Sequence, residues 1–516
     1  MTNDTLTGLL DEQVWIDPGL RWVDDLGQVT LAEFAAEVRG LAAGLLAWGV
    51  APGDHVGIAM KNRREWLLTW FAVARVGGVV VPLNNRFAPA EAEYVLRTAD
   101  VRWLVWHPDD GALDGDSLAA LEADGLPLIG RAVVGTDPAA ENEVRFDQLA
   151  VGGEHPSREQ GEGLGMINFT SGSTAFPKGV MLRNAGMIEN GHYLGIAWQI
   201  TRKDRVLLSN PLFHNGGTVF SLLSSLTHGA GMAMIRQWEP QAVAAMIEAE
   251  GVTVVPTIDA AMRDLMGIIR SGERSLDSVR LVTTAADRST FEEVGRAFGS
   301  DISNIYGLTE CSPNVAVGHL DDPLERRLSC IGRTQPGFQV TIRDPETGAP
   351  VKRGTRGEIL VRGETMAMLG YYHDPAATAA AFTEDGFLRT GDLGTLDADG
   401  YLDYQGRAKL MIKSGGENVS IEEVERVLRT HDELSDAAVV PIPHERFGEV
   451  GYAFLCPHPG VEPDPEEVLA FAGESLARFK VPKRAVLIDE LPKTGSGKVD
   501  RKTLGERATS AVNLPT

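Results

Sequence analysis

The sequence predicts an α/β protein, with a large N-terminal domain of parallel α/β subdomains plus a β-rich subdomain, and a small, mobile C-terminal α+β domain. Three observations predict it. Apolar strand-like runs alternate with helix-periodic segments up to about residue 337, short strands separated by Asp-Gly steps follow, and a compact α+β pattern with its own helix start lies beyond residue 407. At 516 residues and 43% hydrophobic content the chain is too long for one core, so the domains are placed at 1–406 and 407–516.

The elements follow in order. Thr30 can cap a helix whose apolar positions Leu31, Phe34, Val38, Leu41 and Leu45 recur at helical spacing, and HVGIAM reads as a buried strand. Residues 62–75 are helical, VVVPL is a strand, residues 89–98 are helical again and RWLVW is a strand. Between 109 and 158 Gly, Asp and Pro are dense, which predicts irregular connection around short elements. The alternation resumes with GMINFT, VLLSNP, GMAMI, VTVVP and RLVTT as strands and 240–250 as a crossover helix. QVTIRD, GEILVRG and DADGYLDYQGR then read as strands and hairpins. In the C-terminal part, Ser420 and Glu423 have the spacing of a capping box before VERVL, AAVVPI and GYAFLC are strands, and 465–477 is helical. The boundary is expected at 407–409, with neither internal repeats nor low-complexity tracts.

A formal net charge of -24 disfavours nucleic acid or an anionic membrane as main partner, because both repel an acidic surface. Any anionic substrate then needs a local cluster of donors. The start, MTNDTLTGLLDEQ, lacks a basic segment before an apolar run, so a signal peptide is not expected. The most apolar long stretch, 212–235, is broken by His214, Asn215 and His228 and reads as core, not as a membrane span. These features predict a cytoplasmic protein, and a homodimer is compatible with them. Cys311, Cys330 and Cys456 are too few and too scattered for a disulfide framework or a zinc site.

The most informative segment is 169–180, FTSGSTAFPKGV, where a strand enters a loop of hydroxyls and glycines that ends in Pro-Lys-Gly. Small residues let backbone N–H groups approach phosphate oxygens, Thr170, Ser171, Ser173 and Thr174 add hydroxyls, Gly172 adds freedom and Lys178 adds positive charge. The segment therefore reads as a polyphosphate cradle, although a polar surface turn has similar composition. It lacks the Gly spacing of the common ATPase loop.

This loop resembles the phosphate loop of the adenylate-forming superfamily of acyl-CoA synthetases, peptide-synthetase adenylation domains and luciferases, and four further motifs follow in the family's order. NIYGLTE, 304–310, is similar to the adenine and magnesium motif, RTGD, 389–392, to the ribose motif, GRAKLMIKSGGENVS to the interdomain hinge, and PKTGSGK, 492–498, to the C-terminal catalytic loop. The resemblance implies an AMP-forming ligase that uses ATP and Mg2+ to convert a small carboxylic acid into an acyl-adenylate, then passes the acyl group to coenzyme A. It gives Lys498 the role of the cation that offsets charge as a carboxylate attacks the α-phosphorus. Glu310 is expected to ligate magnesium, with Thr309 beside it. Asn304, Tyr306 and Gly307 are expected at adenine, and Asp392 and Arg407 at the ribose or phosphate. Lys409 is the implied pivot, Ser414, Gly415 and Gly416 the implied pantetheine channel, and Arg478 and Lys480 candidates for the 3′-phosphate of coenzyme A, although bases on an exposed edge also serve solubility. His214, in NPLFHNGG, is expected between acyl pocket and thiol channel, with Gly216 and Gly217 leaving room for substrate; a core histidine is the alternative.

The chain departs from the family pattern at three places. Ala175 replaces a usual Gly in the phosphate loop, Leu410 replaces an acidic residue after the pivot, and TTAAD, 283–287, replaces a Gly-Gly-Ala-Pro type segment. Ala285 and Ala286 would narrow the acyl pocket, and Asp287 would bring a carboxylate near it or cap the next helix. These changes keep open the same adenylation chemistry with another acceptor: nitrite activation, amide formation or carrier-protein loading. An inert nucleotide-binding relative is disfavoured by the retention of Glu310, Asp392, Arg407 and Lys498 together.

Overall fold

The computed structural model describes residues 3–512 apart from positions 88, 112, 151–155, 171–176, 258, 286–287, 408–410, 415–416, 445–446, 477, 479 and 495–497. The chain forms two compact units. The first comprises Met1–Thr341, Leu360–Leu388 and Asp397–Asp403, and the second Ile342–Ile359, Arg389–Leu396 and Tyr404–Thr516.

In the first unit, local sequence rules act much as expected. The helix Leu31–Trp48 starts in a capping box, in which Thr30 Oγ1 accepts from the Glu33 N–H at 3.2 Å and Glu33 Oε2 accepts from the Thr30 N–H at 2.8 Å. It ends at Gly49, whose φ of 111° suits a residue without a Cβ. Leu31, Phe34, Val38, Leu41 and Leu45 are all buried. The helix expected over 62–75 is Arg64–Val76, and that over 89–98 is Pro89–Thr98.

Two sheets are built on this unit. An eight-stranded sheet runs Gly370–Tyr371, Lys178–Arg183, Leu164–Thr170, Val79–Pro82, His55–Ala59, Trp103–Trp106, Gly130–Val133 and Glu143–Arg145. Its last six strands, Leu164–Thr170 through Glu143–Arg145, are mutually parallel, and Lys178–Arg183 returns antiparallel to Leu164–Thr170 with Thr170 opposite Lys178. The region 109–158 thus contains more order than its composition predicts. Its strands Gly130–Val133 and Glu143–Arg145 extend the parallel sheet, and they are too short to stand out among the surrounding Gly, Asp and Pro.

The other sheet includes Asp301–Gly307, Leu281–Thr284, Val254–Pro256, Arg205–Leu208, Gly231–Met234 and Arg21–Asp24, neighbours in that order and all parallel. Leu207, Val255, Val282 and Ile302 on one face pack with Val243, Met262 and Phe291 from the helices Pro240–Glu250, Asp259–Ser271 and Arg288–Phe298. Strand order differs from chain order, the arrangement of a doubly wound sheet whose ligands gather at the carboxyl ends of strands. The helix Asn184–Ala197 is masked in the sequence by Gly186, Gly191 and Gly195, which lower helix propensity.

The second unit contains a sheet in which Leu434–His444 and Gly448–Pro457 pair antiparallel over most of their length, with Arg484–Leu487 parallel to the latter. The helices Ile421–Leu428 and Pro465–Ser475 share one core with it, while Leu504 and Ala508 of Arg501–Val512 join a second. Arg501 donates to both Glu425 oxygens, at 2.6 and 2.9 Å, so the buried carboxylate is paired. None of the three cysteines is in a disulfide, and no helix among the described residues is long and apolar enough to cross a membrane.

Candidate active site

The base of the expected phosphate cradle is the antiparallel pair Leu164–Thr170 and Lys178–Arg183; Ser171, Gly172, Ser173, Thr174 and Ala175 lie outside the described residues. Pairing places Thr170 and Lys178 opposite each other at the mouth of this hairpin. The short strand Gly370–Tyr371 adds to the Lys178–Arg183 edge, with Tyr371 opposite Val180. Lys178 Nζ lies 5.0 Å from the centre of the Tyr371 ring, and the Tyr371 hydroxyl donates to Glu310 Oε1 at 2.8 Å. A cation, a phenol and a carboxylate from three separate segments are thereby linked. Burial first, and then the Glu310 charge, push the Tyr371 phenol above its usual range, so it stays protonated and remains a donor.

Glu310 sits in the single turn Thr309–Cys311 that follows the strand Asp301–Gly307. The Glu310 carbonyl accepts from the Met368 N–H at 2.8 Å, and Asn190 donates from its side chain to the Asn314 carbonyl at 2.7 Å, which ties down both sides of the turn. Gly307 is opposite Asn314, and a Cβ there would lie 1.9 Å from the Pro313 carbonyl oxygen, so the motif glycine is a steric requirement of this turn. Asn304 and Tyr306 are buried, and Asn304 Oδ1 accepts from the Ile305 N–H at 2.9 Å. Asn304 is also in register with Thr284 on the adjacent strand, and the exposed Ala285 follows directly. Ala286 and Asp287 are outside the described residues.

His214 is exposed, its ring 4.7 Å from that of Phe213, which distinguishes it from a core histidine. Its carbonyl accepts from the Gly217 N–H at 2.9 Å, where the π-helical segment Gly216–Leu223 begins. Such segments are uncommon and recur at functional sites. A Cβ at Gly217 would lie 2.6 Å from the Pro211 carbonyl oxygen, so the turn itself demands glycine, whereas at Gly216 the nearest contact would be an ordinary 3.4 Å.

In the second unit, Asp392 is buried on the strand Leu388–Leu396, and its N–H donates to Thr390 Oγ1 at 3.0 Å. Arg407 ends the strand Tyr401–Arg407; its side chain, and Lys409, Leu410, Gly415 and Gly416, are outside the described residues. Ser414 is buried and Arg478 is exposed. Lys480 donates to both Glu423 oxygens at 2.7 Å, so its charge is engaged within the unit. Lys498 is exposed, and its carbonyl accepts from the Thr494 N–H at 2.7 Å beside the antiparallel bridge between Lys493 and Val499.

Tyr371 is the member of this set that motif reading misses. It is 61 residues from its partner Glu310, and the sequence GYY gives no spacing signal. No cluster of three metal-ligating side chains occurs among the described residues. A single carboxylate such as Glu310 nevertheless fits magnesium, which commonly takes one or two protein carboxylates and completes its shell with phosphate oxygens and water.

Residues 11–372 match the AMP-binding enzyme family, and residues 423–498 match its C-terminal domain. The chain belongs to the AMP-binding enzyme family. This AMP-binding enzyme is 33% identical over 475 residues to the feruloyl-CoA synthase of an Amycolatopsis species, covering 91% of this chain and 92% of the relative. It is 32% identical over 508 residues to the sulfoacetate–CoA ligase of Cupriavidus necator, with 97% of both chains covered. Its fold matches the crystal structure of ATP-bound MatB from Rhodopseudomonas palustris with a TM-score of 0.87 and 27% identity, covering 98% of this chain and 99% of that one.

Proposed function

We propose that this AMP-binding enzyme is an AMP-forming acid–coenzyme A ligase, which activates a small carboxylic acid as its adenylate and transfers the acyl group to the thiol. The observation that carries the reading is similarity over more than nine-tenths of the chain to relatives that are themselves CoA ligases. The linked Lys178, Tyr371 and Glu310 support it, because adenylation brings a carboxylate to a polyphosphate and needs both a cation and a metal-holding carboxylate.

In this reading Glu310 would hold magnesium, which would supply charge compensation at the phosphates. Thr170 and Lys178 belong to the phosphate site, Asn304, Tyr306 and Gly307 to the adenine site, and Asp392 and Arg407 to the ribose site. Lys498 supplies the cation of the first half-reaction, and Lys409 is the pivot between the half-reactions. The exposed Ala285 and the exposed His214 belong to the acid's end of the site. The cytoplasm, where ATP and coenzyme A are both held, is the compartment we assign.

The test is product analysis by mass spectrometry with ATP and magnesium against benzoate, hexanoate and cyclohexanecarboxylate, each with and without coenzyme A. An acyl-CoA formed together with AMP is the expected outcome. AMP that appears only when nitrite and an aryl amine replace the acid and coenzyme A would keep the adenylating site but make coenzyme A the wrong acceptor.

A further inference from the structure

The loop that bears His214 is held at both ends by buried asparagines. At its start, Asn62 donates from Nδ2 to the Asn210 and Ile235 carbonyls at 3.0 and 3.2 Å, and its Oδ1 accepts from the Leu212 N–H at 2.9 Å. At its end, Asn168 Nδ2 donates to Asn215 Oδ1 at 3.1 Å. Asn62, Asn168 and Asn215 are 4%, 3% and 4% exposed, so these bonds are shielded from water and fix the loop firmly.

The second of these bonds determines how Asn215 is presented. Because Asn215 Oδ1 is taken by Asn168, its amide nitrogen points away from Asn168, and that nitrogen is buried without a partner among the described residues. A buried donor left unmade is costly, and such groups call for an explanation. Asn215 lies between His214 and the glycines that open the π-helical segment. Its anchor, Asn168, is two residues before Thr170 on the same strand, so both side chains leave the same face. Ile167 and Phe169 leave the other face and pack into the apolar core. Asn215 therefore stands on the face of the strand that carries Thr170 and at the His214 loop at once. A carboxylate that is to attack a phosphate must reach both places.

We propose that Asn215 Nδ2 is the donor that receives the carboxylate of the acid, and that Asn168 is the positioning residue that fixes the direction of this amide. The inference rests on the reading of the site as one that binds a carboxylic acid. A carboxylate offers acceptors only, which complements a lone N–H2 donor, and in a chain of net charge -24 a neutral amide holds the anion without adding a competing charge. The bond is to the carboxylate oxygen that does not attack phosphorus. That oxygen remains as the acyl carbonyl in the adenylate, so the same donor keeps the acyl group in place for the second half-reaction.

The experiment measures adenylate formation by the full chain, trapped with hydroxylamine, with benzoate, hexanoate and cyclohexanecarboxylate as probes, and separates the KM of the acid from that of ATP. Asn215→Ala is expected to raise the KM of the acid roughly 10- to 100-fold while the KM of ATP stays within about twofold. Asn168→Ala raises the acid KM by a smaller factor, and the double variant is no worse than Asn215→Ala because the two residues act in series. An unchanged acid KM in Asn215→Ala, or equal rises for acid and ATP, would overturn the proposal. If Asn215→Ala does not fold by circular dichroism, Asn168→Ala is judged by the same split between acid and ATP. A wild-type chain that forms no hydroxamate with any probe would instead overturn the ligase reading on which the proposal stands.

Discussion

Tyr371 shows how a single side chain can join elements that the sequence keeps far apart. Its hydroxyl gives Glu310 a donor and its ring lies under Lys178. Tyr371→Phe removes only the first of these, since a phenylalanine ring still offers its face to the cation. A hydrogen bond to a carboxylate is worth about 1.5–3 kcal/mol, so kcat/KM for magnesium–ATP in adenylation should fall by at least about tenfold. Tyr371→Ala removes the ring as well and should fall further. A Tyr371→Phe enzyme with wild-type kcat/KM and an unchanged magnesium titration would remove Tyr371 from the site. Glu310, Lys178 and Thr170 could be named as candidates from the sequence because each lies in a motif whose chemistry needs that residue type. Tyr371 could not, because its position depends on a two-residue strand pairing with the edge of a hairpin, and no local spacing encodes such a pairing.

At the scale of elements, legibility followed the strength of the local signal. The helix Leu31–Trp48 was readable from its capping box and apolar spacing, and the buried parallel strands from their short apolar runs. The helix Asn184–Ala197 was obscured by glycines whose purpose is tertiary. A Cβ on Gly191 would come within 2.7 Å of Leu223 Cβ and 2.9 Å of the Leu223 carbonyl carbon, so close packing against the π-helical segment requires the glycine. Helix propensity alone would make Gly→Ala favourable by about 1 kcal/mol. Overpacking against backbone costs about 1–3 kcal/mol, and it should dominate here because neither helix can yield without moving its main chain. Gly191→Ala should therefore lower the urea unfolding free energy, by up to about 2 kcal/mol. Gly267→Ala is the control, since Gly267 lies in the helix Asp259–Ser271 with nothing within 4 Å of an added Cβ. That change should stabilise by up to about 1 kcal/mol. A more stable Gly191→Ala protein would show that the packing at this helix is looser than the distances imply.

For the whole molecule, the informative feature is the order of motifs along a chain that folds into two compact units. Glu310, Lys178 and Tyr371 fall in the first unit, and Asp392 and Lys498 in the second. Sequence reading assigned these residues because motif chemistry is local, but it placed the change of domain at one point. By packing, Ile342–Ile359 and Arg389–Leu396 group with the C-terminal part. Only spatial packing defines such a division. Lys498 tests the chemical division of labour. Its carbonyl accepts from the Thr494 N–H, a main-chain bond that a change of side chain retains. Adenylation brings two anions together, whereas attack of a thiol on a preformed adenylate does not need the same cation. Lys498→Ala should therefore slow ATP-dependent activation of the acid by about 100- to 1,000-fold. Thioester formation from supplied acyl-adenylate should stay within about tenfold of wild type, since no interaction specific to its transition state is removed. The two half-reactions are measured separately, by pyrophosphate release and by acyl-CoA formation. Equal losses in both would mean that Lys498 does not serve the first step alone, and the cation of adenylation would have to be sought among Lys178 and the arginines of the first unit.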